Sequence, residues 1–138
     1  MVEERIVLPT RDGSCDGYVY YPDTSARYPA VVIYMDSMGM REELRVMARR
    51  LAAGGYFVLL PNLYYRLSKG DIVINADLID EDGPDNQLMW KLNRSIYNRE
   101  VVSDSESLLR FLDAHEHAGK GRVGVIGYCM SGRYAVTA

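Results

Sequence analysis

Apolar residues gather along this chain in three unbroken runs: "YPAVVIYMDSMG" around Ala30 to Met35, "YFVLLPNLYYR" from Tyr56, and "RVGVIGYC" ending at Cys129. Unbroken rather than alternating hydrophobicity predicts strands buried on both faces, as in a parallel sheet. Between the runs the period changes. "REELRVMARRLAAGG" places Leu44, Met47, Ala48, Leu51 and Ala52 at helical spacing, and Gly54-Gly55 closes it. "VVSDSESLLRFLDAHEHAGKG" does the same with Val102, Leu108, Leu109, Leu112 and Ala114, ended by Gly119. Upstream, "RIVLPTRDGSCDGYVYYP" reads as two strands joined around Asp12-Gly13, a hairpin signal. "MSGRYAVTA" begins a last helix, and residues 68–100 read as a surface excursion with a helical piece near Gln87 to Leu92. The order predicts one α/β domain over residues 1–138, a mostly parallel sheet flanked by helices with an N-terminal β-hairpin.

Composition narrows the function classes. Sixteen basic against nineteen acidic residues give a net charge of −3, which argues against a nucleic-acid partner. No apolar run approaches the roughly 20 residues of a membrane helix, and "MVEERIVLP" is charged from the start, so a cytoplasmic location is expected. Two distant cysteines, Cys15 and Cys129, suit neither a disulfide framework nor a zinc site and are expected as free thiols. No G-x-G-x-x-G follows the first parallel strand and no P-loop is present, so no cofactor or metal is expected.

The chemistry points to "VIGYCMSGRYAV". A cysteine between glycines, after a strand and before a helix, has the setting of a nucleophile on a sharp turn. The turn lifts the side chain above the sheet, and the helix N-terminus aims free N–H groups at it. Glycine is needed where strand and helix backbones approach closely, at Gly127 and Gly132. The N–H of Met130 is one candidate oxyanion donor, and the N–H of Ser37, in the "MDSMG" loop after the first parallel strand, is its partner. Asp36 lies on the same rim; a carboxylate beside a thiol opposes its ionisation unless its charge is otherwise engaged, and the competing reading is a helix-capping aspartate. The bland alternative for Cys129 is a small residue in a packed corner. Cys15, on the hairpin, reads as structural.

"GYCMSG", "PNLYYR" and "MDSMGMREELRVMARRLAAGGYFVLLP" together resemble the dienelactone hydrolase family, α/β-hydrolases with a Cys-His-Asp triad, and the resemblance covers the N-terminal portion of that fold. It implies Cys129 as nucleophile, the N–H groups of Met130 and Ser37 as oxyanion donors, and a small-molecule ester or lactone as substrate. Asp36 matches a position usually held by glutamate whose carboxylate contacts the resting thiol; aspartate is one methylene shorter. Ser131 stands where glycine is common, and Asn62 where "P-D-L-Y" is usual. For a carboxylate-bearing substrate, Arg66 and Arg133 are the candidate contacts. The family's triad aspartate and histidine follow the turn. His115 and His117 precede it, at the end of a crossover helix that lies by the opposite sheet edge, a strand length of roughly 17–20 Å away, and read as solvated surface residues. The expectation is a catalytic turn within the N-terminal part of a hydrolase, with an exposed sheet edge that favours instability or dimerisation. A hydrolase-fold domain used for binding is the alternative.

Overall fold

The structure, a computed structural model, describes residues 1–71 and 83–137. Strands β1 (Val2–Thr10) and β2 (Gly13–Tyr21) form the expected hairpin, pairing Thr10 with Gly13 across a turn in which Gly13 takes a φ of 143°. Then come β3 (Tyr28–Tyr34), helix α1 (Glu42–Ala53), β4 (Phe57–Pro61), α2 (Pro84–Asn93), α3 (Asn98–Ala114), β5 (Ala118–Gly127) and α4 (Gly132–Thr137). The excursion read over 68–100 therefore contains α2 and the first residues of α3, while 72–82 lie outside the described residues.

The sheet is mixed, in the order β1-β2-β4-β3-β5. β3 pairs in parallel with β4 and β5, and β4 pairs antiparallel with β2, so the hairpin extends a parallel core of three strands. α1 buries Leu44, Ala48 and Ala52 against β2 and β4. The chain moves from β3 to β4, then returns past β3 to β5. Right-handed crossovers therefore place α1 and α3 on opposite faces. The carboxyl ends of β3 and β5 flank the reversal point, where open α/β sheets hold their ligands.

β3 from Ala30 and all of β4 are buried, as their apolar runs predict. β5 is not the third buried strand the sequence suggests. It forms the sheet edge among the described residues, and Val125 is 38% exposed. α3 is also turned from its expected face: Val102 and Leu109 are exposed, whereas Val101, Asp104, Ser105, Leu108 and Leu112 are buried. The polar pair is accommodated by hydrogen bonds, Ser105 with Tyr34 at 2.5 Å and Asp104 with Tyr65 at 2.9 Å. The helix stops at Ala114, and the glycines beyond it shape the start of β5. A Cβ on Gly119 would lie 2.9 Å from the Tyr28 carbonyl oxygen, and Gly121 has a φ of 105°. No helix among the described residues is long and apolar enough to cross a membrane.

Candidate active site

β5 ends at Gly127, and after extended Tyr128 the chain turns sharply into a 3₁₀ turn, Cys129–Ser131, that runs into α4. Cys129 has a φ of 52°, the one positive φ among the described non-glycine residues. A left-handed residue with a side chain costs on the order of 1–3 kcal/mol and persists only where its surroundings enforce it. Here Ser131 does much of that. Its buried hydroxyl donates to the carbonyl of Met35, just past β3, and its N–H donates to the Tyr128 carbonyl at 2.9 Å. Gly127 is required by the same closure, because a Cβ there would lie 2.1 Å from the Ser131 carbonyl oxygen. Gly132 is not: its Cβ would meet only the Gly127 oxygen, at 3.9 Å, so the expected need for two glycines reduces to one. The Cys129 side chain is exposed above this turn.

Opposite it stands the loop after β3. Ser37 Oγ lies 3.9 Å from Cys129 Sγ, and the Asn93 side-chain amide donates to the same Oγ at 3.3 Å. The N–H of Met130 is in the first turn of the 3₁₀ segment, where no intrahelical acceptor exists. Beneath both segments sits Tyr64, fully buried. Its hydroxyl donates to the Ser37 carbonyl at 3.0 Å and lies 3.5 Å from Met130 Sδ. Burial foremost, with the nearby Asp36 charge adding to it, pushes the Tyr64 phenol well above the usual range and keeps it a donor. Asn62 holds Tyr64 in turn. Its Oδ1 accepts the Tyr64 N–H at 3.0 Å, and its Nδ2 donates to Asp16 at 3.0 Å and to the Ser68 carbonyl at 2.8 Å. A carboxylate at position 62 would lack the proton that buried Asp16 accepts. That accounts for asparagine in "PNLYY".

Asp36 reaches the rim but not the sulfur. Arg41 clamps it through two bonds of 2.6 and 2.8 Å, and the Met38 N–H donates to it at 3.0 Å. The expected carboxylate–thiol contact is thus replaced by an ion pair that folds the loop, and Asp36 is no helix cap either. Arg66 is likewise engaged elsewhere, in bonds of 2.7–3.0 Å to Asp12 and Asp104. Arg133 lies on an open concavity of about 660 Å³ with Tyr97, Asn98 and Arg99. Cys15 is buried, and desolvation pushes its thiol up to about 12, which makes it inert.

The two histidines occupy the far edge of the sheet, where the His117 carbonyl accepts the N–H of Tyr28 at the start of β3. They are half-buried rather than fully solvated. His117 stacks on Tyr21 at 4.8 Å, and His115 packs on Phe57 at 4.7 Å. Neither can serve Cys129 as a base.

A family model described as the dienelactone hydrolase family matches residues 15–138. The chain belongs to the dienelactone hydrolase family. A carboxymethylenebutenolidase of Pseudomonas putida is 27% identical over 135 residues, which cover 98% of this chain and 55% of that protein. Among solved structures, a candidate dienelactone hydrolase from Klebsiella pneumoniae superposes with a TM-score of 0.73 at 22% identity, covering 93% of this chain and 50% of the other. A dienelactone hydrolase-like promiscuous phosphotriesterase from metagenomic libraries gives a TM-score of 0.66 at 20% identity, over 99% and 54% of the two chains. This chain therefore spans about half the length of the family members it matches.

Proposed function

We propose that this chain supplies the nucleophile and the oxyanion-binding groups of a thiol-dependent hydrolase of carboxylic esters or lactones. One observation carries the reading: an exposed cysteine, held at positive φ at the carboxyl end of a parallel strand, faces the loop that follows the neighbouring strand. Cys129 Sγ, as thiolate, attacks the carbonyl carbon. The oxyanion forms against the N–H groups of Met130 and Ser37, each such donor being typically worth about 3 kcal/mol of transition-state stabilisation. Collapse expels the ester or ring oxygen, which takes up a proton, and leaves a thioester on Cys129. Water then attacks the thioester, releasing the acid and restoring the thiol.

Asp36 acts on the loop rather than on sulfur in this reading, keeping Ser37 in place through Arg41 and the Met38 N–H. For a carboxylate-bearing substrate, this reading assigns the contact to Arg133, which borders an open concavity with Tyr97, Asn98 and Arg99. The general base is assigned to the half of the relatives' length that this chain does not span, because both histidines here lie at the opposite edge.

Rapid mixing of the full-length protein with an activated aryl ester tests the proposal. The expected result is a burst near one equivalent, with an acyl adduct on Cys129 found by peptide mass mapping, and its loss in Cys129→Ala. An undiminished burst in that variant would overturn it.

A further inference from the structure

Asp36 and Ser37 are adjacent in the chain and differently employed. Both carboxylate oxygens of Asp36 are taken by Arg41, and one also accepts the Met38 N–H. The charged group of the loop is thus neutralised and turned to a structural task. What faces Cys129 Sγ is the neutral hydroxyl of Ser37, at 3.9 Å. That hydroxyl is itself oriented: the Asn93 amide donates to its oxygen at 3.3 Å, occupying one lone pair and leaving the hydroxyl proton and a second lone pair for the sulfur.

Asn93 is the last residue of α2, and the backbone around it is anchored on both sides. Leu92 and Ile96 are buried, and the Leu92 carbonyl accepts bonds from the Ser95 hydroxyl at 2.5 Å and the Ser95 N–H at 3.0 Å. The segment between β4 and α3 therefore delivers a polar group to the site from outside the two strand-end loops.

We infer that the Ser37 hydroxyl, oriented by Asn93, is the hydrogen-bond partner of the Cys129 sulfur in both of its protonation states, a task for which an ionised carboxylate is poorly suited. An ionised carboxylate can only accept, and its charge opposes a neighbouring thiolate. A hydroxyl accepts from the S–H and, after a rotation about its own C–O bond, donates to the S⁻. No proton passes to Ser37; the thiol proton leaves to solvent or to a base. A separation of 3.9 Å is loose for the resting thiol, and bonds of this kind tighten once charge develops. Ser37 thereby has two separable parts, a backbone N–H for the oxyanion and a side chain for the sulfur, and Asn93 is a positioning residue that acts through the latter.

The inference rests on Cys129 as the nucleophile, but its test needs no ester. Alkylation of Cys129 by iodoacetamide is followed across pH in the full-length protein by mass spectrometry, with buried Cys15 as the unreactive internal control. Ser37→Ala, which keeps the backbone N–H, should slow alkylation at neutral pH roughly tenfold, the size expected for losing a hydrogen bond to a charged group. It should also move the pH profile upward. Ser37→Thr, which keeps the hydroxyl, should restore both, and Asn93→Ala should shift the profile the same way by a smaller amount. A Ser37→Ala profile that coincides with the parent's would overturn the role of the hydroxyl, and an unmoved Asn93→Ala profile would overturn the relay. Either result can occur with the ester burst intact, and a missing burst can accompany a shifted profile, so the two failures are distinguishable.

Discussion

The hydroxyl of Tyr64 donates to the carbonyl of Ser37 at 3.0 Å, from a ring that is wholly buried. Because the same oxygen also touches Met130, this one side chain spans the two segments that carry the candidate oxyanion donors. Tyr64→Phe keeps the ring and removes the tie. The expected cost in stability is about 1 kcal/mol, the net worth of one hydrogen bond. The acylation burst should slow several-fold with KM little changed. Urea unfolding and burst kinetics measure the two effects separately.

Gly127 and Gly132 flank the turn yet should respond oppositely to alanine. At Gly127 the added Cβ would lie 2.1 Å from the Ser131 carbonyl oxygen and 2.7 Å from its carbon, both backbone atoms that cannot step aside. Gly127→Ala should lose about 3 kcal/mol or more, as overpacked sites do when relief requires backbone movement. Gly132 is helical, at φ −56° and ψ −44°, and has room. Gly132→Ala should be neutral or stabilising by up to about 1 kcal/mol, through a less flexible unfolded chain. Thermal unfolding of the two variants side by side is the check.

Arg66 is a structural cation in this fold. It pairs with Asp104, whose side chain is only 2% exposed and which also accepts the Tyr65 hydroxyl. Burial pushes the Asp104 carboxyl above its ordinary range, while Arg66 and Tyr65 oppose that shift. Arg66→Met removes the opposing charge and should destabilise by about 3–5 kcal/mol at pH 8, the range for an orphaned buried partner. The stranded carboxyl then has a further raised folded-state pKa, so protonation relieves it and the loss should be smaller at pH 5. Denaturant titrations at both pH values decide this. An unchanged KM for a carboxylate-bearing ester would separate Arg66 from substrate recognition.

His115 makes the far edge of the sheet sensitive to acid. Burial, with the neighbouring His117 charge second, lowers its pKa below the ordinary 6.5. The folded state therefore binds this proton less readily than the unfolded chain. Stability should be at its full value above about pH 6.5 and should fall as pH drops through the depressed value. His115→Phe, which preserves the packing against Phe57 and Tyr21, should flatten that dependence between pH 7.5 and 5.5. Unfolding midpoints at the two pH values are the measurement.

Much of the fold was legible because it is written in short-range periodicity. The Asp12-Gly13 turn, the runs of β3 and β4, and the α1 positions Leu44, Ala48 and Ala52 are all visible in windows of a dozen residues. The misread positions depend on partners far along the chain. Val102 and Leu109 read as part of the apolar face of α3, but the helix buries Asp104 and Ser105 instead, which Arg66, Tyr65 and Tyr34 satisfy from distant segments. His115 and His117 read as solvent-facing until Tyr21 and Phe57 arrive. The candidate site divides in the same way. Cys129 and Ser37 carry a local signature, strand then tight turn, whereas Arg41, Asn93 and Tyr64 are ordinary residues whose placement emerges only from the assembled sheet. Asn93 was hardest to see, since it lies at the end of a segment whose pattern is weak.

The parallel pairing of β3 with β5 matches Ile33 to Ile126 and Tyr34 to Gly127, three residues before Ser37 and two before Cys129 respectively. The sheet thereby works as a ruler. Slipping that ladder by a single residue would carry the sulfur about 3.3 Å along the strand and would also invert which side chains face each layer. The spacing of Cys129 and Ser37 is therefore set in part by the pairing of buried aliphatic residues such as Val32 and Ile33. Substitutions in the middle of β3, such as at Val32 or Ile33, should disturb the spacing of Cys129 and Ser37 along with the core those residues fill.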